Sequence, residues 1–309
     1  MKKRIDLHVH LDGSLSPAYI IRQAKKQGLT LPAWDEEGLK EYLQAPKDCR
    51  DLNEYLERFR LPCSVMQTED ALTDAVADLC GRLKAQGLSY AEIRFAPQQH
   101  LQKGLTQEQV AAAAVKGLIQ DEEFEAKLIL CCMRMPDNEA VNMETIRITA
   151  EYLGRGVVAA DLAGAEALFP TAAYEKIFEE ASRLGVPYTI HAGEAAGAES
   201  IWSALRLGAK RIGHGIRCIE DEELAAYLKE HQIPLEVCPT SNFQTRAVEG
   251  EYPLKELLRR GLCVTINTDN MTVSDTTLEK EYQVAEEVLG LTMEELWVLE
   301  ENAARSVFK

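Results

Sequence analysis

Basic residues are in short supply in this chain of 309: 34 lysines and arginines face 50 aspartates and glutamates, for a formal net charge of -16 at pH 7. Such a balance repels polyanions, and no run of lysine or arginine is present to follow a phosphate backbone, so DNA, tRNA and anionic membranes are excluded as expected partners. A free, uncharged or cationic small molecule remains the natural substrate. Long apolar runs are missing as well. No stretch approaches the ~18 to 20 residues of a membrane span. The opening MKKRIDLHVHLDG puts Asp6, His8, His10 and Asp12 where a signal peptide needs an apolar core, so export is not expected. The eight cysteines lack the close, regular spacing of a disulfide scaffold and read as reduced thiols in a cytoplasmic protein.

What is present is an ordinary globular composition, 46% hydrophobic and 27% charged, enough for a sizeable core with no need of a disordered region. The length suits two small domains or one (β/α)8 barrel of roughly 250 residues with insertions. The pattern along the chain chooses the barrel. Eight short apolar runs recur: RIDLHVHL from Arg4, YAEIRFAP from Tyr90, KLILCCMR from Lys127, VVAADLAG from Val157, PYTIHAGE from Pro187, RIGHGI from Arg211, PLEVCPTS from Pro234 and CVTINTDN from Cys263. Segments of helical periodicity separate most of them, and Gly87, Gly156, Gly185, Gly208 and Gly261 stand where helix C-caps precede strands. This is the rhythm of a parallel sheet whose strands are buried on both faces. The expected architecture is therefore an α/β fold, a (β/α)8 TIM barrel formed by residues 1–309 as one domain.

Apolar stripes such as Leu224, Tyr227 and Leu228, or Leu254, Leu257 and Leu258, are expected to pack an outer ring of helices inward. The connection after the first strand, roughly residues 12–89, is too long for one crossover helix and is expected to form a helical lid. Within it Leu52, Tyr55, Leu56 and Phe59 make a stripe that reads first as core packing and second as pocket lining.

His8 and His10 lie two apart on the first strand, so both point to one face, which near the strand's C-terminal end looks into the barrel mouth. His191 ends the fifth strand and Asp269 ends the eighth, bringing two more ligand types to the same mouth. Three histidines and a carboxylate suit one zinc ion with room for a water, although the donor set by itself does not separate zinc from iron or cobalt. Of only six histidines, His214 also falls at a strand end, whereas His100 and His231 read as exposed or structural. Glu194, three residues beyond His191, is placed as an acid beside the metal.

These residues lie in segments that resemble the adenosine deaminases: HVHLDGS from His8, SYAEIRFAPQQHLQKGLT from Ser89, DLAGAE from Asp161, HAGE from His191, RIGHGI from Arg211, CPTSN from Cys238 and NTDN from Asn267, in order along nearly the whole chain. The resemblance implies a zinc-dependent hydrolase of purine salvage, converting adenosine or deoxyadenosine to inosine or deoxyinosine plus ammonia. It implies that His8, His10, His191 and Asp269 hold zinc, with His10 also against the substrate and Asp269 also part of the catalytic group. It further implies that Glu194 protonates the purine N1, His214 orients and deprotonates the attacking water, Asp12 binds a ribose hydroxyl, Gly164 meets N3 through its amide, and position 270 faces N7.

One departure stands out: the family usually has two successive aspartates and then proline, and this chain has Asp269, Asn270 and Met271. Rival readings are a deaminase of another 6-aminopurine, such as adenine or an aminofutalosine-like nucleoside, a two-metal hydrolase, and a catalytically dead binding protein on the same scaffold. The two-metal enzymes bridge their ions with a lysine on strand four, and VVAADLAG has none. The H-x-E with P-C-x-x-C pattern of the base-flipping zinc deaminases is also missing.

Overall fold

The computed structural model describes residues 4–248 and 250–309. Eight parallel strands follow in chain order: β1 (Arg4–His10), β2 (Leu88–Phe95), β3 (Glu125–Arg134), β4 (Val157–Gly164), β5 (Thr189–Ala192), β6 (Arg211–His214), β7 (Leu235–Val237) and β8 (Val264–Ile266). They pair as two four-stranded sheets, β1-β2-β3-β4 and β5-β6-β7-β8. Single parallel bridges, Ala160 to Tyr188 and Val9 to Asp269, join the sheets at both seams. The result is the TIM-barrel arrangement expected from the eight apolar runs.

Strand ends differ from that reading where local chemistry intervenes. PLEVCPTS stops being strand at Val237 because Pro239 opens the helix Pro239–Gln244, at the position where a missing N–H costs nothing. RIGHGI ends at His214 because Gly215 turns away with φ +68°. Gly208 caps the helix Ala198–Leu207 at φ +97°, and a Cβ there would stand 2.8 Å from the Tyr188 hydroxyl.

Between β1 and β2 run five α-helices, Pro17–Gln27, Glu36–Leu43, Leu52–Leu56, Arg60–Val65 and Glu69–Ala85. The last is well specified locally: Thr68 caps the Ala71 N–H, Glu69 and Asp70 sit in its first turn, and Arg82 and Lys84 in its last. The main hydrophobic cluster takes residues from all eight strands and from the surrounding helices. Leu224, Leu228, Leu254 and Leu257 are buried as expected. Tyr227 is not: it is 36% exposed and packs its ring against Trp202 and His231 on the surface. Its phenol favours a site with one wet side over the core.

The inside of the barrel departs further from an apolar expectation. Glu92, Arg94, Asp161, Arg211 and Glu236 all project from strands and are fully buried or nearly so. A second buried group lies beside β8, where Glu281 accepts from the Thr276 hydroxyl at 2.5 Å and the Thr240 N–H at 3.1 Å. Burial pushes its carboxyl up from 4.5 to about 7. The folded chain thus holds this proton between pH 4.5 and 7 while the unfolded chain releases it, so stability falls as pH rises through that window, by up to about 3 kcal/mol from this group. Glu281→Gln is expected to be more stable than the wild type at pH 8 and to lose less stability between pH 5 and 8. Denaturant unfolding followed by circular dichroism checks this, and identical pH slopes for the two proteins would contradict it.

Candidate active site

The strand ends bring the expected residues together. His8 and His10 leave the same face of β1, His191 lies on β5, His214 ends β6, and Asp269 follows β8. At the seam, His10 N–H donates to the Asp269 carbonyl and Asp269 N–H to the His8 carbonyl, each at 2.7 Å, so the first and last of these elements are tied backbone to backbone. One donor atom from each of His8, His10, His191 and Asp269 lies within 4.8 Å of the others. His10 Nε2 is 3.2 Å from His191 Nε2, and Asp269 Oδ1 is 3.4 Å from Nε2 of both His8 and His10. His8 Nε2 is buried without a hydrogen-bond partner. An orphaned imidazole nitrogen beside two further imidazoles and a carboxylate oxygen is an environment that a cation satisfies and that hydrogen bonding alone does not. Burial holds His10 and His191 below the ordinary histidine pKa, in the neutral form that ligates metal.

Behind these imidazoles stand groups that reading of the chain did not single out. Glu236 Oε2 is 2.9 Å from His8 Nδ1, and Asp161 Oδ2 is 2.9 Å from His191 Nδ1. Burial opposes charge on both carboxyls, but Arg94 and Arg211 around Glu236, and His191 and Arg94 around Asp161, outweigh it and keep them well below the usual carboxylate range. A carboxylate on the far nitrogen fixes tautomer and ring orientation. Asp161 opens DLAGAE, so a signal for it existed; Glu236 lay inside an apolar run with nothing to mark it.

Glu194 sits on the turn after β5. Glu166 spans that turn, accepting the backbone N–H groups of Gly193, Glu194, Ala195 and Ala196 at 2.7 to 3.1 Å. The Glu194 side chain is buried, accepts from the Thr245 hydroxyl at 3.1 Å, and has Oε2 3.5 Å from His214 Nε2. Burial raises its pKa, opposed by His214 and reinforced by Asp269. That is the direction an acid catalyst requires. Asn242, within CPTSN, holds His214 through Nδ1 at 3.0 Å, which leaves Nε2 as the nitrogen facing Glu194. His214 and Asp269 both adopt left-handed backbone, φ +61° and +57°, strain of about 1 to 3 kcal/mol each that the surrounding packing sustains.

One cavity is lined by His10, Asp12, Gly164, His191, Glu194, His214, Asp269 and Asn270. Asp12 is buried, its carboxyl pushed up to about 6 by burial. Gly164 ends β4 at φ +107°. Asn270 is buried with Oδ1 unpaired, and a Cβ on Gly13 would fall 1.8 Å from that oxygen, so only glycine fits beneath it. Leu52, Tyr55, Leu56 and Phe59 all line the same cavity, the second of their two readings; Tyr55 also hydrogen-bonds Ser274 at 2.6 Å and packs with Cys49 and Val273. His100 is buried rather than exposed, against Phe95, with its pKa lowered to about 4 by burial. His231 ends the surface helix Glu222–His231.

The family model described as adenosine deaminase matches residues 3–309. An adenosine deaminase of Haemophilus ducreyi is 51% identical over 98% of this chain and 91% of its own length; one of Enterococcus faecalis is 42% identical over 99% and 91%. Among solved structures, an adenine deaminase from Arthrobacter aurescens superposes with a TM-score of 0.90 at 31% identity, covering all of this chain and 94% of its own. With the donors converging as the motifs require and the match running from end to end, this chain belongs to the adenosine deaminase family.

Proposed function

We propose that the protein is a zinc-dependent adenosine deaminase of purine salvage. It hydrolyses adenosine or 2'-deoxyadenosine to inosine or 2'-deoxyinosine and ammonia, within one catalytic domain over residues 1–309 whose helical segment, roughly 12–89, covers the cavity. The observation that carries this reading is Glu194: a carboxyl with raised pKa, 3.5 Å from His214, in a cavity that also holds the imidazoles of His10, His191 and His214 and the Asp269 carboxyl. His8, His10, His191 and Asp269 would hold the ion, which when bound acidifies water towards a pKa of ~7 and so supplies a nucleophile at neutral pH.

The chain's own groups account for the rest. Glu194 delivers its proton to purine N1, which draws electron density from C6 and opens it to attack. His214, with Nδ1 held by the Asn242 amide, orients the attacking water through Nε2, and the proton that this water releases goes to the amine, which leaves as ammonia. Asp12 offers a carboxylate to a ribose hydroxyl, a contact that favours a nucleoside over the free base, and the Gly164 amide is available to N3. Asn270 can serve adenine with both ends of its amide, Nδ2 donating to N7 and the otherwise unpaired Oδ1 accepting from the 6-amino group. An ionised aspartate at that position could do only the second. The charge of -16 supports a free nucleoside rather than a nucleic acid as substrate, and the eight free cysteines suit the reducing cytoplasm. No helix among the described residues is long and apolar enough to cross a membrane.

Three outcomes are expected. Metal analysis gives one zinc per chain, and His191→Ala loses both metal and activity; two equivalents in the gently purified wild type would rule out a mononuclear site. Glu194→Gln keeps its metal and binds substrate but loses turnover by about 100- to 10,000-fold, the usual contribution of a general acid, and a loss below about threefold would show that another group protonates N1. Finally, 7-deazaadenosine, which lacks the N7 acceptor, is turned over more poorly than adenosine by the equivalent of roughly 1 to 3 kcal/mol. Asn270→Ala narrows that gap, and an unchanged gap in steady-state kinetics would remove Asn270 from base recognition.

A further inference from the structure

A polar group from between β1 and β2 reaches the loop that carries Asn270. Tyr55, on the helix Leu52–Leu56, is buried with its side chain lining the cavity, and its hydroxyl stands 2.6 Å from Ser274 Oγ, 219 residues on. Ser274 in turn donates its N–H to the Asn270 carbonyl at 2.8 Å. The side chains of Ser241 and Asn270 are turned toward the same phenol oxygen. We infer that the Tyr55 hydroxyl is a positioning group for Asn270: it tells the two ends of the amide apart and so sets how strictly the purine N7 is read.

A side-chain amide has nearly the same shape in either orientation, so only hydrogen bonding can choose between them. Beneath Asn270 lies Gly13, where a Cβ would fall 1.8 Å from Oδ1, and that oxygen has no hydrogen-bond partner. Gly13 therefore offers no preference. The phenol does. With its proton given to Ser274 Oγ, its oxygen keeps lone pairs that accept from an NH2 group and repel a carbonyl oxygen. Ser241 does not compete for them, because it gives its own proton to Asp269 Oδ2. One N–H of Asn270 Nδ2 is thereby held, and the second is left to face the cavity and N7.

The hydroxyl is separable from the ring. Cys49 and Val273 pack with Tyr55 in one apolar cluster, and the Ala45 N–H ties the same stretch of chain to the Val273 carbonyl at 2.8 Å. A phenylalanine would keep that packing and lose only the preference for the NH2 end. The inference rests on the reading of Asn270 as the group that meets N7.

The test compares wild type, Tyr55→Phe, Asn270→Ala and the double variant in kcat/KM for adenosine and 7-deazaadenosine. Tyr55→Phe narrows the gap between the two substrates by about three- to tenfold, the scale of one lost hydrogen bond, chiefly through loss on adenosine. Added to Asn270→Ala it narrows the gap no further, as expected of two residues that act through one contact. A role in packing alone would slow both substrates equally, and an unchanged gap in Tyr55→Phe would overturn the inference. A second readout needs no substrate. In protein isotope-labelled at asparagine, the side-chain amide signals of Asn270, identified by their disappearance in Asn270→Ala, shift in Tyr55→Phe; unmoved signals would also overturn it. A gap unchanged in Asn270→Ala, with those signals still moving in Tyr55→Phe, would instead overturn the N7 reading beneath it.

Discussion

Arg94 lies between two carboxylates, 2.8 Å from Glu236 and 3.2 Å from Asp161, and those carboxylates orient two of the clustered imidazoles, His8 and His191. Much of the barrel interior follows from that guanidinium. Its Nη2 also donates to the Leu7 carbonyl, which ties it to β1. Glu236 passes the network on to Arg211, which reaches Glu92 and the Ser306 carbonyl, while Phe308 lays its ring 3.9 Å from the Arg211 guanidinium. Desolvating so many charges is costly, and their attraction repays it only when the geometry is good. Once assembled, loss of any one partner would leave an uncompensated buried charge, at about 3 to 5 kcal/mol. The network therefore gives the site little freedom to relax and keeps the imidazoles aimed.

The same interior divides its carboxyls into two kinds. Asp161, Glu236 and Asp269 are each buried and each held as anions by guanidinium or imidazole neighbours. Glu194 is equally buried but has no guanidinium against it; burial dominates and its pKa rises. Identical chemistry is thus pushed toward the anion or toward the protonated form according to what lies within a few ångströms. The polar hand that fixes Glu194 in place is backbone: four N–H groups of its turn converge on Glu166, which rigidifies the turn without neutralising the acid itself.

The barrel was legible along the chain because its strands alternate with helices that end at glycines, and this periodicity survives without any partner in view. The cluster of His8, His10, His191 and Asp269 was legible because these residues are chemically conspicuous and fall near strand ends. Glu236 and Arg94 were not, since a charged residue inside an apolar run announces neither its partner nor its direction. The stripe Leu52, Tyr55, Leu56 and Phe59 was ambiguous for a related reason: an apolar helix face packs equally well on core or on a cavity wall, and periodicity cannot tell which surface it will meet.

By itself the sequence determined the order of elements, the residue types at the strand ends and the substitution of Asn270 for an aspartate, because these are properties of local propensity and chemistry. Only the tertiary structure decided what those residues do to one another. The pairing of Val9 with Asp269 joins residues 260 positions apart, and the opposite pKa shifts of Glu194 and Asp269 depend on neighbours supplied by β1, β6 and the helix Pro239–Gln244. Electrostatic and metal-binding behaviour is set by distances of a few ångströms through a low-dielectric interior, and such distances exist only once the barrel has closed.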